Sequence, residues 1–237
     1  MFAGPNGSGK SMLIKELSDS GISLGPVINA DVIYEEITKR GYFDLKDFGL
    51  DSLSQESWNH AVQHIEEIKS RVFGSNALIP ITISDGILLC NAEKMNSYTS
   101  ALIADFLRHM MLKTGKTFSF ETVMSHTSKI DFLSVAKSSG YTTYLYFIAT
   151  EDSSININRV ENRVKKGGHD VPVDKIKTRY YKSLGLLLPA LRAADRAYVI
   201  DNSRQGNYII MEKGYDSRAK FHTDTIPVWF SQIIFSS

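Results

Sequence analysis

Gly4-Pro5-Asn6-Gly7-Ser8-Gly9-Lys10-Ser11 decides the reading of this chain. The eight residues spell a complete G-x-x-x-x-G-K-[ST] phosphate loop. Gly4, Gly7 and Gly9 let the backbone curl until successive N–H groups point at one set of phosphate oxygens. Lys10 brings a point charge to the β- and γ-phosphates, and the Ser11 hydroxyl is a ligand for Mg²⁺. Residues 11–17 read as a helix whose N-terminal dipole faces the anion. A glycine-rich turn that merely precedes a helix is the competing reading, and it leaves the full match unexplained. The stretch predicts binding of a nucleoside triphosphate. Only Met1-Phe2-Ala3 precede it, whereas a feeding strand usually needs about five residues. Either that strand is cut short or the natural chain begins upstream.

Composition sets the class. At 237 residues the chain is long enough for one large domain with a proper core. Its 27 basic side chains against 26 acidic ones argue against a coat for nucleic acid or an anionic membrane. Cys90 is the single cysteine. That excludes an intramolecular disulfide and suits a reducing compartment. With no histidine motif beside it, Cys90 reads as a core filler. No run approaches a membrane span and no signal peptide opens the chain. The expectation is a soluble, cytoplasmic, globular protein.

Beyond the first helix, residues 27–31 read as a short buried strand that ends on Asp31. A helix follows from Ile33 to Arg40, then a turn-rich stretch to residue 56. Glu56 to Phe73 reads as an amphipathic helix carrying His60, His64 and Ile68. Two histidines at i, i+4 suit a metal, but the Glu of H-E-x-x-H is missing, so they read as ordinary face residues. Leu78 to Leu89 resembles a hairpin with Ser84-Asp85-Gly86 at its turn, and Pro80 argues for an edge position. The apolar run resumes after Gly86, which favours a turn over a Walker B carboxylate at Asp85. Ser97 to Leu112 reads as a helix. Residues 117–122 alternate as a strand and again end on acid, at Glu121. Lys129 to Lys137 is helical, and Tyr141 to Ile148 is the most strand-like stretch. The alternation predicts a three-layer α/β domain: a parallel sheet with helices on both faces. Ligands in such sheets bind at the carboxyl ends of strands, which groups Asp31, Glu121 and the phosphate loop. Arg196 to Asn202 reads as another strand with residues 208–211 returning beside it, and 226–235 as an apolar final element.

Between 159 and 182 stand eight Lys or Arg against three acids. Arg159, Arg163 and Lys166 share one helix face at i, i+4, i+7. A second helix begins at Pro172, which suits a first helical turn, and carries Arg179. Two solvated faces are the plain explanation. The planar forks of the arginines favour a phosphate clamp instead, with Gly167-Gly168 as the hinge of a helical lid.

The ordered set resembles the zeta-toxin-like branch of the P-loop kinases. It comprises residues 2–11, Asn29-Ala30-Asp31, Phe118-Ser119-Phe120-Glu121-Thr122, residues 163–172 and residues 195–203. The resemblance implies one P-loop kinase domain over 1–237, with a helical and hairpin insertion at about 41–116 and a lid at about 159–182. It implies ATP and Mg²⁺ as cofactors, bound through Gly4, Pro5, Asn6, Gly7, Ser8, Gly9, Lys10 and Ser11. Asp31 becomes the base for an acceptor hydroxyl, Arg159 or Arg163 the transition-state arginine, and Glu121 and Thr122 substrate-side groups. Toxins of this branch have a second arginine shortly before a proline. Aligned on Pro172, His169 occupies that place, which leaves His169 and Arg179 as candidates. The branch's characterised toxins phosphorylate UDP-N-acetylglucosamine, so a UDP-amino sugar is the implied acceptor and an antitoxin protein an implied partner. The competing readings are an ATPase switch module and a nucleic-acid-end kinase, for which Tyr180-Tyr181 is the aromatic hint.

Overall fold

A computed structural model describes residues 1–62, 81–168, 170–204, 206 and 208–235. In chain order, strand β1 (Phe2–Ala3) runs into the phosphate loop and helix α1 (Lys10–Asp19). Strand β2 (Val27–Ile28) precedes helix α2 (Ala30–Arg40) and strand β3 (Tyr42–Asp44). Residues 55–62 are helical (α3) as far as they are described. Strands β4 (Ile81–Ser84) and β5 (Ile87–Cys90) and helix α4 (Ser97–Thr114) follow. Then come β6 (Ser119–Thr122), α5 (Ser128–Ser138), β7 (Tyr144–Ala149), α6 (Ser153–Lys165), α7 (Val173–Gly185) and α8 (Leu187–Ala193). The chain closes with β8 (Arg196–Asp201), β9 (Tyr208–Lys213), β10 (Ala219–Phe221) and α9 (Val228–Phe235).

Two compact units emerge: residues 1–24 with 119–237, and residues 25–118. In the first, the strand order is β10-β9-β8-β7-β1-β6. β6, β1, β7 and β8 pair in parallel, while β9 and β10 extend the edge antiparallel. In-register partners share a face. Phe2, Tyr146 and Tyr198 are such partners, and their rings stack at 4.9 and 5.0 Å. Leu13, Ile14 and Leu17 of α1 cover this face, packing on Phe2, Ile148 and Ile200. On the opposite face Phe147 meets Trp229 of α9. These two faces form the expected three layers, and their centre is wholly buried at Leu145, Phe147, Ile148 and Val199.

In the second unit, β3, β5 and β4 form an antiparallel sheet with β4 at its edge. The turn falls on Asp85-Gly86, both at positive φ, as the hairpin reading requires. Residues 78–80 of that reading lie outside the described residues. So do His64, Ile68 and the rest of the helix expected to reach Phe73. Strand β3 escaped the sequence reading, since three residues among turn formers give no period. Cys90 is buried, as a core filler should be. One expectation needs correcting. Asp31 does not end a strand: β2 stops at Ile28, because the Asn29 side chain accepts the Asp31 N–H at 2.8 Å and caps α2. Asp31 instead stands exposed in the first helical turn, and the cap is Asn29. Among the described residues no helix is long and apolar enough to cross a membrane.

Candidate nucleotide-binding site

Three glycines make the loop between β1 and α1. Gly4, Gly7 and Gly9 have φ of +142°, +75° and +102°, which side chains with a Cβ rarely adopt. Each is also closely approached. A Cβ on Gly4 would stand 1.9 Å from the Ile148 carbonyl oxygen, one on Gly7 2.6 Å from that of Asn156, and one on Gly9 2.1 Å from Asn202 Nδ2. Gly9 caps α1 without any side-chain hydrogen bond, so the first N–H groups of the helix stay open to an anion.

The charged groups converge here through register. Phe2 pairs with Glu121 and Ala3 with Thr122, so Glu121 shares the face covered by α1. Ser11 Oγ donates to Glu121 Oε2 at 2.9 Å, and Lys10 Nζ lies 3.8 Å from Glu121 Oε1. Lys10 is 6% exposed and folds over its own loop, donating to the carbonyls of Gly4 at 3.0 Å and Pro5 at 2.9 Å. These two bonds hold the Lys10 ammonium against the loop backbone. The Ser11 hydroxyl and Glu121 carboxylate are hard oxygen donors of the kind Mg²⁺ prefers. Thr122 is less direct: its hydroxyl accepts the Met124 N–H at 3.1 Å.

Beneath the loop lies a network that sequence reading missed. Asn156 Nδ2 donates to the Asn6 carbonyl at 2.6 Å, and Asn202 Nδ2 to that of Ser8 at 2.8 Å. The Thr150 hydroxyl donates to Asn156 Oδ1. The Tyr180 hydroxyl, whose pKa is raised chiefly by burial, donates to the Thr150 carbonyl at 2.6 Å. These partners stand 150 and 194 residues from the loop, so no local pattern marks them. Tyr180 is therefore a buried strut rather than a stacking surface for bases, which removes the aromatic hint of a nucleic-acid groove at that residue.

Arg159 and Arg163 lie on α6. With Asn162, Lys166 and Gly168 they line a concavity of about 370 Å³. One terminal nitrogen of Arg159, Nη1, is buried with no hydrogen-bond partner among the described residues. Helices α6 and α7 share a small core of Val160, Val171 and Ile176. Pro172 caps α7, which starts one residue later, at Val173. Arg179, half-buried on α7, is not among the residues lining the Arg159 concavity, and His169 lies outside the described residues. In the second unit, a cavity of about 330 Å³ is lined by Asn29, Glu36 and Arg40 along α2, and by Phe43, Asp44 and Phe48. Among the described residues no group of three or more His, Cys, Asp or Glu is arranged to hold a metal ion.

No protein-family model matches the chain. An uncharacterized protein of Haemophilus influenzae is 35% identical over 74 residues, which is 31% of this chain and 53% of that protein. A chain of the AvrRxo1-ORF1:ORF2 complex crystallised with ATP superposes with a TM-score of 0.55 at 12% identity, over 99% of this chain and 62% of its own length. A chain of the PezAT chromosomal toxin–antitoxin system of Streptococcus pneumoniae gives 0.51 at 10% identity, over 99% and 81%. The chain thus spans about half to three fifths of the first proteins it resembles. With its glycine-rich loop after the first strand and helices over both faces of a mostly parallel sheet, the chain shares a three-layer α/β fold with these two solved structures.

Proposed function

We propose that the protein is a small-molecule kinase that moves the γ-phosphoryl group of ATP to an acceptor hydroxyl. The observation that carries this is the convergence of Lys10, Ser11 and Glu121 on one loop with an uncapped helix start. Mg²⁺ would be held at Ser11 and Glu121, where it neutralises phosphate charge. Lys10 binds the β- and γ-phosphates. Arg159, with an unpartnered nitrogen, and Arg163 hold the γ-phosphoryl oxygens as charge moves between them. Residues 159–182 act as the lid over this group, with Arg179 and His169 its remaining candidates. Asp31 takes the proton of the acceptor hydroxyl, and its exposure leaves the carboxylate free to meet one. A UDP-amino sugar such as UDP-N-acetylglucosamine is the first acceptor to try, and an antitoxin protein is the partner class the fold suggests. The test is ATP consumption with and without nucleotide sugars, nucleosides and oligonucleotides, followed by identification of a phosphorylated product. Product on a nucleotide sugar supports the reading. Hydrolysis unaffected by every acceptor favours the ATPase switch.

A further inference from the structure

The loop's glycines give it freedom, so something must select one conformation. A trans peptide is planar, with the C=O of residue i antiparallel to the N–H of residue i+1, and no cis peptide occurs among the described residues. Pulling the Asn6 carbonyl inward therefore turns the Gly7 N–H outward, and pulling in the Ser8 carbonyl does the same for the Gly9 N–H. Both carbonyls are pulled, by Asn156 Nδ2 at 2.6 Å and Asn202 Nδ2 at 2.8 Å. Asn156 is 0% and Asn202 3% exposed, so neither amide can exchange its partner for water.

We propose that Asn156 and Asn202 are positioning residues for the phosphate loop, setting the outward aim of the Gly7 and Gly9 N–H groups, and that Tyr180 ties this setting to α7 through Thr150. This rests on reading residues 4–11 as the nucleotide-binding loop. Each residue is itself held, Asn156 through its side-chain amide and Asn202 through its backbone. Asn156 Oδ1 accepts the Thr150 hydroxyl, whose residue's carbonyl accepts the Tyr180 hydroxyl. The Asn202 N–H is spent on the Ala149 carbonyl at 2.8 Å, which anchors it to the end of β7. The glycines beside these amides have no room for a Cβ: one built on Gly7 would stand 2.6 Å from the Asn156 carbonyl oxygen, and one on Gly9 2.1 Å from Asn202 Nδ2. Loop and struts are thus in direct contact on both sides. Because Tyr180 belongs to α7, movement of that helix reaches the Asn6 carbonyl through three hydrogen bonds, so α7 and the loop report on each other.

The experiment titrates Mg²⁺-ATP calorimetrically into the parent, Asn156→Ala, Asn202→Ala, Tyr180→Phe, Lys10→Ala and Leu133→Ala, each with its melting temperature. Leu133 is a buried apolar side chain on α5 that makes none of the strut hydrogen bonds, and it serves as a destabilised control with an intact strut network. Affinity is expected to fall about tenfold or more for each Asn variant and roughly two- to fivefold for Tyr180→Phe, while Leu133→Ala melts lower and binds as the parent does. If the parent itself fails to bind, the reading of the loop is wrong and the inference goes with it. If the parent binds, Lys10→Ala does not, and the Asn variants match the parent, only the inference is overturned. Should an Asn variant not fold, Tyr180→Phe decides, since it keeps the ring in place; parent-like affinity there overturns the proposal.

Discussion

Replacing Gly4 by Ala tests the loop's geometry with a single methyl. The new Cβ would stand 1.9 Å from the Ile148 carbonyl oxygen, where comfortable non-bonded separations are about 3.5 Å. Both groups are backbone at neighbouring strands, so neither swings aside. Overpacking of this kind costs about 1–3 kcal/mol, and a φ of +142° adds roughly 1–3 kcal/mol for a residue with a Cβ. In a domain of this size each kcal/mol lowers the melting temperature by about 2–4 °C, so a loss of at least about 4 °C is expected. Gly21→Ala is the matched control. Its φ is +79° but nothing lies within 4 Å of the added carbon, leaving only about 1–2 kcal/mol of backbone cost. Thermal melts with ATP titration of both variants provide the assay. Gly4→Ala should lose both stability and affinity, Gly21→Ala only a little stability. Equal melting temperatures and equal affinities would refute the packing argument.

Lys10→Ala should remove most ATP affinity and leave a folded protein, because its ammonium meets loop carbonyls and Glu121 rather than core; calorimetric titration checks it. If Arg159 or Arg163 clamps the moving phosphoryl group, its Ala variant should lose roughly a hundredfold or more in turnover with little change in ATP affinity, as read by steady-state kinetics. Burial alone would raise the Asp195 carboxyl, but Lys137 Nζ at 2.9 Å and the Thr143 N–H and hydroxyl, each at 2.8 Å, outweigh it and hold the pKa below its ordinary value. A depressed carboxylate stabilises the fold above its unfolded pKa of about 3.9 and loses that contribution as pH falls through the folded value. Melting temperature against pH should therefore show a shallower acid limb in Asp195→Asn than in the parent.

The fold's central strands were legible because each carries its own signal. Residues 144–149 are dense in aromatic and β-branched side chains, and the phosphate loop fixes what must stand before and after it. Helices α4, α5 and α6 declare themselves by period and by their flanking turn residues. Other features depend on partners that local sequence does not name. Asn29 took the cap position because its amide reaches the Asp31 N–H, a choice that the apolar run of Val27 and Ile28 does not reveal. β10 is exposed at all three residues and exists by pairing with β9, so no alternation marks it. The struts Asn156, Asn202, Thr150 and Tyr180 are polar residues scattered over two helices and two strand ends. Only folding brings them under the loop.

The central claim is that phosphate leaves ATP for an acceptor hydroxyl with Asp31 taking the proton. Transfer of labelled γ-phosphate, by the parent and by folded Asp31→Asn, measures it most directly. Asn keeps the shape and one acceptor oxygen but cannot take up a proton at neutral pH, and the cap of α2 belongs to Asn29, so the helix is preserved. The expected result is label on a small-molecule acceptor with the parent and none with Asp31→Asn, at unchanged ATP affinity and melting temperature. Full transfer by folded Asp31→Asn, or label appearing only as inorganic phosphate with every acceptor, would contradict the account.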